Sequence, residues 1–191
     1  FGVIYSDDGG STWAYSAADT SSTGSTAEAQ IVEMPDGSLK AFVRTSSGYV
    51  AERTSIDGGV SWSEEKAVSG ILSTSYGTQL SVINYSEEID GKPAIIMSTP
   101  NSRSGRNSGV IKIGLIDDTG AAGADRYSID WAYEYQVDGT VGYSYSCMAE
   151  LPDGTIGVYY EKYDSWSRNQ LHLKNILAFE KYTVEQLKAA Q

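Results

Sequence analysis

Apolar residues recur at alternate positions in short bursts along this chain, and turn-forming residues separate the bursts. Leu39, Ala41 and Val43 follow the turn Pro35-Asp36-Gly37, and Ile156, Val158 and Tyr160 follow the turn Pro152-Asp153-Gly154. Period-two alternation marks a strand with one covered face. Pro presets one turn position and Gly accepts the positive φ of another, so each segment predicts a hairpin. The two segments, Val32 to Arg44 and Ala149 to Glu161, match almost letter for letter at an offset of 117 residues. A weaker copy lies between them, with Leu80 to Tyr85, Asp90-Gly91 and Ala94 to Met97. Apolar runs stop at four or five residues, too short for a membrane-spanning helix. One helix is predicted at the end, where Thr183-Val-Glu-Gln186 reads as a capping box before helix formers.

A second motif interleaves with the hairpins. Ser6-Asp-Asp8-Gly-Gly10-Ser-Thr-Trp13 and Ser55-Ile-Asp57-Gly-Gly59-Val-Ser-Trp62 share the pattern Ser-x-Asp-x-Gly-x-(Ser/Thr)-Trp, and a degraded copy is expected to end at Trp131 after Ser128-Ile-Asp130. The aspartate can accept backbone N–H bonds in a tight turn, the glycine relaxes the backbone, and the tryptophan packs beneath. A calcium loop is the poorer reading, because the ligand positions of an EF-hand, including its terminal Glu, are missing. A period of about 55 to 60 residues with roughly four short strands each is the pattern of propeller blades. The expected fold is all-β, about three blades of antiparallel four-stranded sheet with a short C-terminal helix. Three blades do not close a ring, so the remainder must come from elsewhere.

Composition narrows the function. The 191 residues suffice for one sizeable core or two small ones, and Gly plus Pro are too few for a low-complexity chain. Aromatic residues make up 11%, with 14 Tyr, which favours sheet over disorder. One Cys excludes an intrachain disulfide, and one His removes the usual zinc sites, so neither metal nor cofactor is expected. A net charge of −11 argues against nucleic acid as a partner. No charged-then-apolar leader opens the chain.

The Asp motif is the Asp box, and with its surrounding strands the chain resembles the C-terminal half of a bacterial sialidase catalytic domain, glycoside hydrolase family 33-like. Thr26-Ala-Glu28, continuing to Arg44, resembles the segment carrying that family's catalytic glutamate and second substrate-binding arginine. Ser102-Arg-Ser-Gly-Arg106-Asn-Ser-Gly-Val-Ile-Lys resembles the third-arginine segment, with Arg103 the rival to Arg106. Tyr143-Ser-Tyr145-Ser-Cys resembles the strand of the nucleophile, with Tyr145 the matching tyrosine. The resemblance covers essentially the whole chain and implies a six-bladed β-propeller of which residues 1–191 form the C-terminal half. It also implies sialylated glycans as partners, a secreted or cell-surface location, and no membrane span. The family's first arginine and its acid/base aspartate have no counterpart here, so the N-terminal half of the same domain is a required partner and the chain alone should not turn over.

The repeat adds its own argument. Glu28 and Tyr145 are 117 residues apart, the offset of the two hairpins, so they occupy equivalent positions on inner strands. Arg44 and Glu161 are equivalent in the same way. Sialic acid carries a carboxylate on its anomeric carbon, which repels a carboxylate nucleophile and makes a neutral phenol a sensible substitute. A free phenol titrates near ~10 and needs a base, for which Glu28 is placed. Arg44 and Arg106 would hold the substrate carboxylate by charge-assisted bonds, and Glu161 resembles the acid that orients the first arginine. Thr26 and Trp166 match the intramolecular trans-sialidases, which release 2,7-anhydro-sialic acid. An apolar wall there would exclude water and press the sugar's own glycerol hydroxyl into attack. The competing readings are a non-catalytic Asp-box module that binds glycan or protein, without a Glu–Tyr contact, and a structural half-domain whose site has decayed. Cys147 reads as a small buried apolar residue, and His172, in Leu171-His-Leu173, as structural.

Overall fold

The computed structural model describes residues 2–17, 26–137, 142–163 and 175–189. The sheets follow one another along the chain. A two-stranded pair comes first, β1 (Ile4–Tyr5) and β2 (Ala14–Tyr15). The next sheet is β3 (Thr26–Glu33), β4 (Leu39–Thr45), β5 (Tyr49–Ser55) and β6 (Lys66–Leu72), antiparallel and in chain order. A second four-stranded meander follows, β7 (Ser81–Asn84), β8 (Ala94–Pro100), β9 (Gly109–Asp118) and β10 (Tyr127–Gln136). The last sheet is β11 (Gly142–Glu150), β12 (Ile156–Tyr163) and β13 (Asn175–Tyr182), three strands among the described residues where four are expected. A short helix, α1 (Val184–Lys188), closes the described chain. Among the described residues no helix is long and apolar enough to cross a membrane.

The turns form as their residues dictate. In both Pro-Asp-Gly hairpins the aspartate accepts a backbone N–H two residues on, and Gly37 and Gly154 take φ of 83° and 77°. The weaker copy closes through Asp90 and Gly91, both at positive φ. In the Asp boxes the Asp8 and Asp57 carboxylates accept the N–H of Thr12 (2.8 Å) and Ser61 (2.9 Å), Gly10 and Gly59 sit at φ 89° and 94°, and each tryptophan indole N–H donates to the box glycine's carbonyl at 3.1 Å. The third box does not exist: Ser128, Asp130 and Trp131 lie within β10, where an irregularity in register between Asp130 and Tyr133 replaces a turn. Without the two glycines of the other boxes, the backbone stays extended. The capping box forms, with Thr183 Oγ1 accepting from Gln186 N at 3.2 Å and Gln186 Oε1 from Thr183 N at 2.8 Å.

Packing between sheets explains the apolar pattern. Ile95 and Met97 of β8 face the preceding four-stranded sheet, joining Phe42, Val50 and Leu80, whereas Ile96 faces the following sheet with Ile113, Val158 and Tyr160. Strands in a sandwiched sheet are buried on both faces and lose visible alternation. The same holds for β4, where Phe42 is as buried as Ala41 and Val43. At the last sheet one face is half exposed among the described residues. Ile156, Val158 and Tyr160 are buried, but Tyr159, Leu177 and Phe179 on the opposite face are about half exposed, at 45%, 59% and 59%. The first strands of the three larger sheets, β3, β7 and β11, lie side by side. Asn84 stitches β7 to Glu33 through both its amide atoms, and Ser81 Oγ accepts from Met148 N. Successive meanders with adjacent first strands are blades of a β-propeller; Glu28 and Tyr145 lie on those inner strands, Arg44 and Glu161 on the second strands, and Arg106 in the loop before β9.

Candidate active site

Two β-bulges place the reactive side chains. On β3 the register shifts between Thr26 and Ala29, so Ala27 and Glu28 together oppose Arg44. On β11 it shifts between Tyr143 and Ser146, so Ser144 and Tyr145 together oppose Glu161. The two bulges stand at the same 117-residue offset as the hairpins that follow them. A bulge leaves one residue out of the ladder and re-aims its side chain. Two reactive residues thus occupy one structural slot used twice.

The slots face each other. Tyr145 Oη donates to Glu28 Oε1 at 3.1 Å and accepts from Arg44 Nη1 at 3.0 Å. The same Nη1 reaches both Glu28 oxygens, at 3.2 and 2.9 Å. Partial burial pushes the Glu28 carboxyl up, but its own backbone N–H, the Arg44 guanidinium and the Tyr145 hydroxyl outweigh that and hold it below its ordinary 4.5. At neutral pH Glu28 is therefore a carboxylate, able to accept the phenol's proton. A non-catalytic module was expected to lack this Glu–Tyr contact, and it is present.

Arg106 lies on the same side. Its guanidinium carbon stands 5.2 Å from the Tyr145 ring centre and 5.7 Å from that of Tyr76, and Nη1 donates to Ser144 Oγ at 3.3 Å. Its rival Arg103 is exposed on the loop before it. Glu161 accepts the backbone N–H of Tyr145 at 3.4 Å and the hydroxyl of Tyr163 at 2.8 Å, so within this chain it buttresses the strand of Tyr145. Thr26 begins β3 opposite Thr45, half-buried, two residues before Glu28. Trp166 and His172 lie outside the described residues. Cys147 is exposed, contrary to expectation. It pairs with Tyr159 on the half-exposed face of the last sheet, and a cavity of about 410 Å³ lined by Glu28, Tyr145, Cys147, Tyr159 and Leu177 opens there.

Other functional neighbours escaped sequence reasoning. The loop between β6 and β7 supplies Tyr76, whose carbonyl accepts Arg44 Nε and Nη2 at 3.1 and 2.8 Å, and Gln79, whose amide pairs with both backbone groups of Ser146 at 3.0 Å. Beneath Tyr145, Tyr143 is bonded to Ser98 Oγ and stacked on Tyr160, and its burial pushes its phenol up to about 12. Ser98 Oγ in turn donates to Ser146 Oγ at 3.0 Å. The loop residues act through backbone atoms and amides, which carry no charge pattern or period. The signal that was available is a Gly and a Gln among small residues between two strands, and that is common loop chemistry.

A phenol and a carboxylate on the inner strands of an Asp-box propeller thus share one hydroxyl with an arginine of the next strand. No protein-family model matches the chain. An anhydrosialidase from Macrobdella decora is 63% identical over 187 residues, which are 97% of this chain and 24% of that protein. The intramolecular trans-sialidase of Ruminococcus gnavus, solved with oseltamivir carboxylate, superposes with a TM-score of 0.92 at 61% identity over 98% of this chain and 38% of its own. The leech intramolecular trans-sialidase, solved with 2,7-anhydro-Neu5Ac, superposes with a TM-score of 0.93 at 62% identity over 98% of this chain and 28% of its own. Over nearly its whole length the chain is thus similar to one part of these sialidases. It spans about a quarter of the length of the curated relatives it matches.

Proposed function

We propose that residues 1–191 form the C-terminal half of a sialidase catalytic domain, and that the whole protein cleaves terminal α-linked sialic acid from glycoconjugates at the cell surface or outside the cell. The reading is carried by the 3.1 Å contact of Tyr145 Oη with Glu28 and the approach of Arg44 to the same oxygen. Tyr145 Oη bonds to the anomeric carbon while its proton passes to Glu28. The bond to the aglycone oxygen breaks, and that oxygen takes a proton from an acid in the other half of the domain. Arg44 and Arg106 hold the substrate carboxylate. An anionic molecule is repelled at long range by a chain of net charge −11, so capture depends on these two local cations.

The second step decides the product. We infer the intramolecular route, because the two relatives named for it match this chain at about 60% identity over nearly its full length, and Thr26 and Trp166 match that subclass. On this route the O7 hydroxyl of the bound sugar attacks the anomeric carbon and gives its proton to the acid/base group. The bond to Tyr145 breaks and the phenol recovers its proton from Glu28. An intramolecular nucleophile has an effective concentration that solvent behind an apolar wall cannot match. NMR of the first product formed by the whole protein from a sialoside tests this. A 2,7-anhydro-sialic acid is expected, and free sialic acid as the sole initial product overturns the subclass.

A further inference from the structure

We propose that the loop between β6 and β7 is the positioning element of this site, its Tyr76 and Gly77 fixing both arginines against Tyr145. This rests on the sialidase reading above and adds residues to its machinery. Thr74 O accepts Gly77 N at 3.0 Å, a β-turn with glycine at its last position. The turn aims the Tyr76 carbonyl at the Arg44 side chain, where its two lone pairs take Nε and Nη2. One edge of the guanidinium is thereby occupied by backbone, and Nη1 is directed to Glu28 and Tyr145. Free to turn, arginine has many rotamers that reach neither partner.

Gly77 makes the fit possible. Its φ is +61°, and a Cβ there would stand 2.4 Å from Thr45 O and 2.7 Å from Arg44 Cγ. No side chain fits between the turn and the arginine stem. The loop also presents the Tyr76 ring to Arg106, whose guanidinium carbon stands 5.7 Å from that ring's centre and 5.2 Å from the centre of the Tyr145 ring. Two residues further on, Gln79 completes the ladder of β11 at Ser146, next to the nucleophile. One loop thus touches the second arginine, the third arginine and the strand of the phenol.

Kinetics on the whole protein test the assignment, with Tyr145→Phe as the control for the underlying reading. Tyr76→Ala keeps the carbonyl and removes the ring. It should raise KM for a sialoside roughly 3- to 10-fold with kcat held within about 2-fold, as expected for a lost cation–π contact. Tyr76→Phe, which restores the ring, should recover most of that affinity. Gly77→Ala pushes on Arg44 and should lower kcat about 10- to 100-fold, the loss of a positioned charge-assisted contact. It should also shift the acid limb of the kcat/KM profile to higher pH. The groups facing Glu28 are Arg44 from β4 and Tyr145 from β11, with Arg106 against the Tyr145 ring and Glu161 at its backbone N–H, so withdrawing Arg44 lets Glu28 protonate sooner. General loosening of the fold would lower kcat without moving that limb. If Tyr145→Phe is inactive while Tyr76→Ala and Gly77→Ala keep wild-type KM, kcat and pH profile, the positioning role is refuted and the sialidase reading stands. If Tyr145→Phe turns over normally, the reading itself fails. Should Gly77→Ala not fold, the Tyr76 pair decides alone.

Discussion

Tyr145, Glu28 and Arg44 share one hydroxyl, and each removal has its own signature. On the proposed mechanism the phenol acts in bond formation while the arginines bind the ground state, so Tyr145→Phe in the whole protein should lower kcat by at least ~10³-fold with substrate binding retained. Steady-state kinetics with a binding measurement check both halves of that expectation. On the same mechanism Arg106→Ala removes charge-assisted bonds to the substrate carboxylate and should raise KM about 10- to 100-fold. The Glu28 carboxyl is held below its ordinary 4.5, so on the proposed mechanism the base stays ionised until the pH falls beneath that value. The acid limb of kcat/KM is therefore expected below pH 4.5, and Glu28→Gln should lower kcat by about 10²- to 10⁴-fold at every pH.

The Asp boxes hold their turns by charge. Hydrogen bonds from the Thr12 backbone and hydroxyl bring Asp8 down to about 2, and those from the Ser61 hydroxyl and backbone do the same for Asp57. A carboxyl whose folded value lies below its unfolded 3.8 contributes stability above that pH and loses it as the pH falls through the folded value. Acid unfolding followed by circular dichroism should thus steepen between about 4 and about 2, and Asp57→Asn should flatten that region while lowering stability at pH 7. The boxes, the hairpins and the capping box were legible in the sequence because each is a local contract among residues two to four apart. The third box was misread because Ser128, Asp130 and Trp131 keep the letters and lack the glycines. Blade identity was legible from the repeat, and so was the equivalence of Glu28 and Tyr145. The bulges beneath them were not, because a register shift is decided by the partner strand. Phe42 and Cys147 show the same limit: burial depends on whether a neighbouring sheet lies on that face.

Across the whole molecule the last sheet carries its half-exposed face, with Tyr159, Leu177 and Phe179 beside the site. On the reading of this chain as half a domain, the preceding blades cover it. Phe179→Asp should then cost about 2 kcal/mol in the whole protein, the loss of a buried aromatic, and within about 0.5 kcal/mol in the 191-residue chain alone. Denaturant melts of both decide the matter, and equal costs would refute the covering. The repeated bulge also bears on how such a site is remade. Two copies of one hairpin share a bulged backbone and differ in the side chain opposite, Arg44 in one and Glu161 in the other. A phenol in one and an acid in the other come within hydrogen-bond reach across the gap between blades. A side chain newly placed at either bulge is therefore aimed at the other by backbone already in place.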